Sequence, residues 1–400
     1  MNSTVGTSGW SRLPHDLLRL VAEKLVRISD YIRFRSVCKS WRSAATPANL
    51  RPQPPLLMLP YHPFTHARSF FSLSTGKVHA LSLAESYGKI VLNSAHGWLV
   101  TLDITTGALC LLNPITGVQI DLPPTADFYR LRAAHVSPDL RNYEVTDHKG
   151  RRDKLGFNMS FVVYPWEVFL PTKPGSTGNE EGCLVFISIL HSRDVIYCTP
   201  GDKEWTTLED VLAARAWSMA HREGRLYVLD GHRNLYMFDM AAAPSRPPAP
   251  LLTVTVPLGL APLFSLACTT NRELLLVVCN PRCAHGDEPH EDDDDDDDGE
   301  LFQAFRVDVR GDSPEWSKVE SVGERAVFWT ERQCWVVDVG DFHGCREDCV
   351  YLWGARGGRR GGVHRIEAFR RDGSGSEVLL EWERSPSDAM RPLWITTNLG

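Results

Sequence analysis

A chain of 400 residues with 43% hydrophobic and 10% aromatic side chains can fill one large core or two modest ones, which excludes an intrinsically disordered protein. The formal charge of −7 misleads, because the run DEPHEDDDDDDDGE at 287–300 holds eleven carboxylates and no Lys or Arg; without them the balance turns to +4. That remainder has no dense Lys/Arg stripe, so a nucleic-acid binder is not expected, and no stretch approaches the roughly 18 apolar residues of a membrane-spanning helix.

The N-terminus has no basic region leading into a continuous apolar run, so no secretory signal is expected and the protein should act in cytosol or nucleus. Ten scattered cysteines in that setting should stay reduced. Residues 1–9 read as a disordered N-terminus.

Residues 10–47 predict three short helices. Pro14 suits a first helical position, and Leu17, Leu18, Val21 and Leu25 then recur at i, i+1, i+4 and i+8, one face of a 3.6-residue period. Ser29 and Asp30 are capping side chains for a second helix carrying Tyr31, Ile32 and Phe34. Val37, Cys38, Trp41, Ala44 and Ala45 repeat the apolar spacing in a third, which Pro47 ends. A unit this short rarely stabilises itself without metal, disulfide or partner, the limit lying near ~40 residues. A partner groove or the rest of the chain must therefore cover its apolar side chains.

Leu13-Pro14-x-Asp16-Leu17-Leu18, then Leu25, then Arg33-Phe34-Arg35-x-Val37-Cys38-Lys39-x-Trp41-Arg42 resembles the F-box, the motif that binds the Skp adaptor of cullin-based ubiquitin ligases. The resemblance implies that Leu13, Pro14, Leu17, Leu18, Val21, Leu25, Ile32, Val37, Cys38 and Trp41 face the adaptor. The alternative is a helical cap packed on the C-terminal domain. Val21, Cys38 and Trp41 can serve partly as internal core in either case.

Residues 48–55, ending in RPQPP, read as a stiff Pro-rich linker. From 56 to 400 short, aromatic and β-branched strands dominate: 77–83, 97–103, 108–113, 157–164, 183–190, 224–230, 234–239, 273–279, 301–309, 349–354 and 363–370. GWLVTLD-ITTG-ALCLLNP and GRLYVLD-GHR-NLYMFDM share one plan, a Gly-led strand ending in Asp, a tight turn and a second strand. Pairs of this kind start near 97, 183, 224, 273 and 349, intervals that suit one or two units of about 40–50 residues, the period of four-stranded propeller blades. A six- or seven-bladed β-propeller behind a small helical unit, an α+β multidomain chain, is the expectation. An all-β solenoid or sandwich is the alternative.

LLNPITGVQIDLPP, HREGRLYVLDGHRNLYMFDM, VFWTERQCWVVDVGDFHGCREDCVYLWG and RPLWITTNL are similar to the kelch-like KIB-type domain that accompanies F-boxes in a large plant family. This likeness implies a propeller without catalysis. The chain departs from the pattern at Thr397, where the family commonly has Pro.

Candidates for chemistry are few. Cys279, Cys283, His285 and His290 have zinc-ligand side chains at a spacing unlike a zinc knuckle, and Cys334, His343, Cys345 and Cys349 read as packing positions. Nucleotide-binding and serine-hydrolase fingerprints are missing. GARGGRRGG at 354–362 reads as a hairpin loop, and 284–300 as an acidic disordered insertion between strands. The expectation is a substrate receptor of a Skp–cullin–F-box ligase, with an unidentified target protein as its other partner. No catalytic residue, cofactor, metal, membrane or nucleic acid is expected to take part. An F-box scaffold or inhibitor that spares its partner, and a propeller enzyme, are the competing readings.

Overall fold

The computed structural model describes residues 10, 13–25, 28–46, 53–124, 129–132, 142–147, 152–156, 167–170, 183–188, 193–208, 211–240, 250–256, 263–269, 272–279, 302–310, 313–330, 333–340, 342, 344–356, 363–370, 375–383 and 392–395. The expected strand at 157–164, the acidic run, the N-terminal nine residues and most of the glycine-rich loop lie outside them.

Three helices open the fold: α1 (His15–Glu23), α2 (Ile28–Ser36) and α3 (Lys39–Ala44). Pro14 stands at the N-cap of α1 with ψ at 141°, one residue earlier than the expected first helical position. The third helix starts later than Val37, because Cys38 is extended at φ −164° and ψ 175° and acts as N-cap. Of the presumed linker, Gln53, Pro54 and Pro55 are described, and both prolines are buried.

From Leu56 the chain is strands. β1 (Leu56–Met58), β2 (Ala67–Ser72) and β3 (Lys77–Ser82) begin the first blade. β4 (Lys89–Ala95), β5 (Trp98–Asp103), β6 (Leu109–Leu112) and β7 (Gln119–Asp121) form the second. A three-stranded meander of β8 (Tyr129–Arg132), β9 (Asn142–Asp147) and β10 (Arg152–Gly156) follows. The third blade is β11 (Glu167–Phe169), β12 (Val185–Ser188), β13 (Val195–Cys198) and β14 (Thr206–Leu208); the fourth is β15 (Ala216–Arg222), β16 (Arg225–Asp230), β17 (Asn234–Asp239) and β18 (Leu252–Thr255). β19 (Leu263–Cys268), β20 (Leu274–Cys279), β21 (Phe302–Arg310) and β22 (Ser313–Val319) make the fifth. The sixth has five strands, β23 (Arg325–Thr330), β24 (Gln333–Asp338), β25 (Cys349–Arg356), β26 (Val363–Arg370) and β27 (Ser376–Glu383), with β25 parallel to β23. β28 (Leu393–Ile395) then returns to the first blade and pairs with β1, Trp394 opposite Leu57, so the ring is closed by strands from far ends of the chain.

Contacts between blades run β28 to β4, β4 to β11, β11 to β15, β15 to β19, β19 to β24 and β23 to β28. β4 meets β11 directly, so six blades make the ring and the β8–β10 meander is an addition between the second and third. Interval arithmetic misses this point. The spacing of 86 residues between the pairs at 97 and 183 holds one unit plus that insertion, and the 76 between 273 and 349 holds one unit lengthened by the acidic run and the β23–β24 hairpin.

Cores lie between neighbouring blades: Phe186 and Tyr197 of the third pack with Met219 and Val228 of the fourth, and Leu57 and Trp394 of the first with Phe328 and Tyr351 of the sixth. The Asp and Asn residues that end strands tie the turns. Asp103 Oδ1 accepts from the backbone N–H groups of Thr105 and Thr106 at 2.8 Å each, and Asn113 Oδ1 does the same for Ile115 and Thr116 at 3.0 Å. Each turn ends on a glycine at φ +73°, a left-handed conformation that disfavours side chains. Asp230, fully buried, accepts from the backbone of His232 and Asn234, and from Ala214 N–H and the Tyr236 hydroxyl at 3.1 Å each. In the first blade the buried Arg68 guanidinium lies 4.2 Å over the Tyr61 ring and donates to the carbonyls of Thr65 and Ser86, which pins the β1–β2 and β3–β4 connections together.

Candidate functional site

The helical unit has a small, closed core of Leu18, Ala22, Tyr31, Phe34, Ala44 and Ala45. Leu13, Leu25 and Trp41 are partly buried against it, and so is Ile115 from the β6–β7 turn of the propeller. The Tyr31 hydroxyl donates to Ala45 O at 2.7 Å, the Arg35 guanidinium reaches the same carbonyl, and Phe34 and Trp41 lie with ring centroids 4.4 Å apart. The Trp41 indole N–H donates to Trp10 O at 3.1 Å, which ties the entering chain to α3.

On α1 the core is made by Leu18 and Ala22, spaced i, i+4, and Leu25, two residues past the helix, packs against it. Successive residues rotate about 100° around a helix, so Leu17, Leu20 and Val21 emerge on the adjoining face. They are 49%, 51% and 45% exposed, and Val37 at the end of α2 is 56% exposed. Trp10 is 67% exposed. On α1 the neighbouring Leu17, Leu20 and Val21 thus leave an apolar face open, a feature that points to an interaction surface.

The structure therefore divides the set that resemblance assigned to one partner-facing surface. Leu17, Val21 and Val37 are exposed, and Pro14 is exposed at the N-cap of α1. Leu18 is not available: it is fully buried in the helical core, because it shares its face with Ala22 rather than with Leu17. Leu13, Leu25 and Trp41 point mainly inward, and Cys38 is half-buried. The side chain of Ile32 lies outside the described residues. Val21 is no part of the core, contrary to one allowance made from the sequence. Leu20 was missed, although its position three residues after Leu17 was a usable signal for the same face.

At the propeller axis, β24 reaches across the ring. Gln333 Nε2 donates to Asn93 Oδ1 at 2.5 Å and to Ser94 O at 3.5 Å on β4, two blades away, while Asn93 Nδ2 donates to Val168 O of the third blade. Side-chain amides and backbone carbonyls make this junction, groups that neither gain nor lose a proton near neutral pH and so cannot act as general acid or base.

The cysteines separate into different cores. Cys279 and Cys334 sit in that between the fifth and sixth blades, Cys349 and Cys345 in that between the sixth and first. Burial pushes the Cys345 thiol up to about 12 and raises Cys198 and Cys334, the reverse of what activates a nucleophilic cysteine. Among the described residues no group of three or more His, Cys, Asp or Glu side chains is placed to hold a metal ion. Cys283, His285, His290 and His343 lie outside those residues.

A cleft of about 700 Å3 separates α2 from the first two blades, lined by Asp30 and Arg33 on one side and by Ser72, Thr75, Lys77 and His79 on the other.

Comparison with known proteins agrees with this architecture. The KIB1-4 beta-propeller family model matches residues 70–370, and the F-box domain model matches residues 10–51. The F-box protein KIB4 of Arabidopsis thaliana is 23% identical over 349 residues, covering 84% of this chain and 80% of that protein. The F-box protein SKIP23 of the same plant is 32% identical over 241 residues, 58% of this chain and 56% of its own length. Among solved structures, the WD40 domain of SCAP from fission yeast aligns over 83% of this chain and 87% of that one at 10% identity, with a TM-score of 0.31, a likeness too loose to weigh. With its F-box helices ahead of a six-bladed ring, the chain belongs to the KIB1-4 β-propeller family of F-box proteins.

Proposed function

We propose that this protein is the substrate-recognition subunit of a Skp–cullin–F-box ubiquitin ligase. The observation that carries the reading is the exposed stripe of Leu17, Leu20, Val21 and Val37 standing beside an F-box core that is already closed. A Skp-type adaptor would cover that stripe, with Pro14 and Cys38 at its edges. About half of each side chain in the stripe is already covered, so burying the rest would contribute about 1 kcal/mol apiece, taken from the roughly 1.5–3 kcal/mol of full burial.

The mechanism is proximity. The adaptor links the chain to a cullin, the propeller holds a target protein, and tethering raises the effective concentration of a target lysine near the ubiquitin-charged enzyme. The F-box meets the ring at the end where β2 turns into β3 and β6 into β7, which leaves the opposite end of the ring for a target. No side chain of this protein performs chemistry in the scheme, and its site of action is cytosol or nucleus.

The test is quantitative proteomics of cells with and without the protein, paired with proximity labelling under proteasome blockade. At least one labelled protein should lengthen its half-life when this chain is removed. Adaptor capture with no protein stabilised would sink the degradation role and leave a scaffold or inhibitor.

A further inference from the structure

Three turns in the first two blades follow one plan, a polar residue, two intervening positions, then Thr-Gly: Ser72-Leu73-Ser74-Thr75-Gly76, Asp103-Ile104-Thr105-Thr106-Gly107 and Asn113-Pro114-Ile115-Thr116-Gly117. In each, the glycine N–H donates to the carbonyl of the first residue, at 2.8, 2.9 and 2.9 Å. The third position is the tip. It is an exposed Ser74 in one turn and an exposed Thr105 in another, but Ile115 in the turn that meets the F-box.

The turn that carries Ile115 is fixed by bonds within the turn itself. Asn113 Oδ1 ties the N–H groups of Ile115 and Thr116 at 3.0 Å each, Pro114 has a ring-fixed φ, and Gly117 sits at φ +73°. A rigid tip carrying one branched apolar side chain loses little conformational freedom on docking. On the other side it meets the core of Leu18, Ala22, Tyr31 and Phe34, while Leu17, Leu20, Val21 and Val37 stay exposed. Among the described residues, Ile115 is the propeller side chain packed against that core, and a cleft of about 700 Å3 lies beside it.

We propose that Ile115 is the pin that joins F-box and propeller into one rigid body, and so fixes where a propeller-bound target stands relative to the adaptor. The assignment of Ile115 as a positioning residue rests on the receptor reading above; the joint itself is a property of the chain alone. The pin leaves the exposed stripe open, so adaptor and propeller can hold the F-box at the same time.

The test uses the full chain with non-cysteine spin labels at two exposed positions, Arg19 on α1 and Thr105 at the tip of the β5–β6 turn, read by pulsed dipolar spectroscopy. The expected result is one narrow distance distribution in the parent and in Ile115→Leu, and a distribution at least about twice as wide in Ile115→Asp. Hydrogen exchange of α1 and α2 is followed in parallel; if Ile115→Asp melts the helices, Ile115→Ser is read in its place, since it removes the apolar contact without adding charge. An unchanged narrow distribution in the polar variant, or a broad one in the parent, would overturn the pin. Adaptor capture by the parent chain is measured separately: its failure would sink the receptor reading while leaving the distance result intact.

Discussion

In the blades, β6, β12, β13 and β20 bury every residue, and the exposed large apolar side chains among the described residues, Val78, Tyr87, Val118, Leu251 and Val378, are scattered over about 300 positions of the sequence. Between residues 10 and 37 the same number, Trp10, Leu17, Leu20, Val21 and Val37, is exposed within a far shorter stretch. The ring satisfies its own apolar surface by closing on itself through β28, whereas the helical unit closes a core and leaves a second apolar face open. Closure makes the propeller self-contained, and the open face of the helices is what the proposed adaptor would cover.

The widest separation between the two regions should come from Trp394. Its side chain is fully buried, packed edge-on against Phe328 at 5.0 Å on the strand that closes the ring. Trp394→Ala should lower propeller stability by about 3–5 kcal/mol in urea unfolding while leaving exchange protection of α1 in place. Leu18→Ala should do the converse, costing the F-box about 2–5 kcal/mol, with Leu17→Ala at its sequence neighbour within about 0.5 kcal/mol; hydrogen exchange of α1 and α3 reads both. Equal effects at Leu17 and Leu18 would erase the distinction between the two faces.

A smaller effect is expected at Asp230. Asp230→Ala leaves the donors of Ala214, His232, Asn234 and Tyr236 without their buried acceptor, and thermal melts should report a loss of about 2 kcal/mol confined to the propeller. The smallest, read over the single pH unit from 9 to 10, is alkaline. Burial pushes Cys345 from 9.0 to about 12 and Tyr61 from 10.0 to about 12, so the unfolded chain loses these protons first. Their contribution is complete below pH 9 and drains as pH climbs toward 12, at about 1.4 kcal/mol per pH unit for each group across its own interval. A melting temperature that rises between pH 9 and 11 would contradict those buried positions.

Much of the F-box was readable from its residues, because a proline, a run of leucines and the Val-Cys-x-x-Trp spacing mark helices with too much apolar surface. Which leucine faces inward was not. Leu17, Leu18 and Val21 are all apolar, and their spacing covers too wide an arc for periodicity alone to separate core from contact. In the propeller the second and third strands of a blade announced themselves through Gly-led starts and Asp-ended turns, features that the buried Asp230 and the tied Asp103 turn explain. Innermost strands such as β15 (AWSMAHR) and β24 (QCWVVD) mix polar and apolar residues because they face an axis as well as a core, so no alternation showed. The parallel β23–β25 pairing and the β8–β10 meander are long-range choices, and equal spacing cannot distinguish a blade from an insertion.

The most direct measurement of the central claim is the affinity of the full chain for a purified Skp-type adaptor, comparing the parent with Leu17→Asp plus Leu20→Asp and with Thr105→Asp as a propeller control. Trp41 is left alone, since its ring packs on Phe34 and its loss would damage the core. Tight binding by the parent and the control, with at least about a 100-fold loss in the double variant whose helices remain protected from exchange, is the result expected from an apolar docking stripe. Undiminished binding by the double variant would show that the exposed face of α1 is not where the adaptor sits.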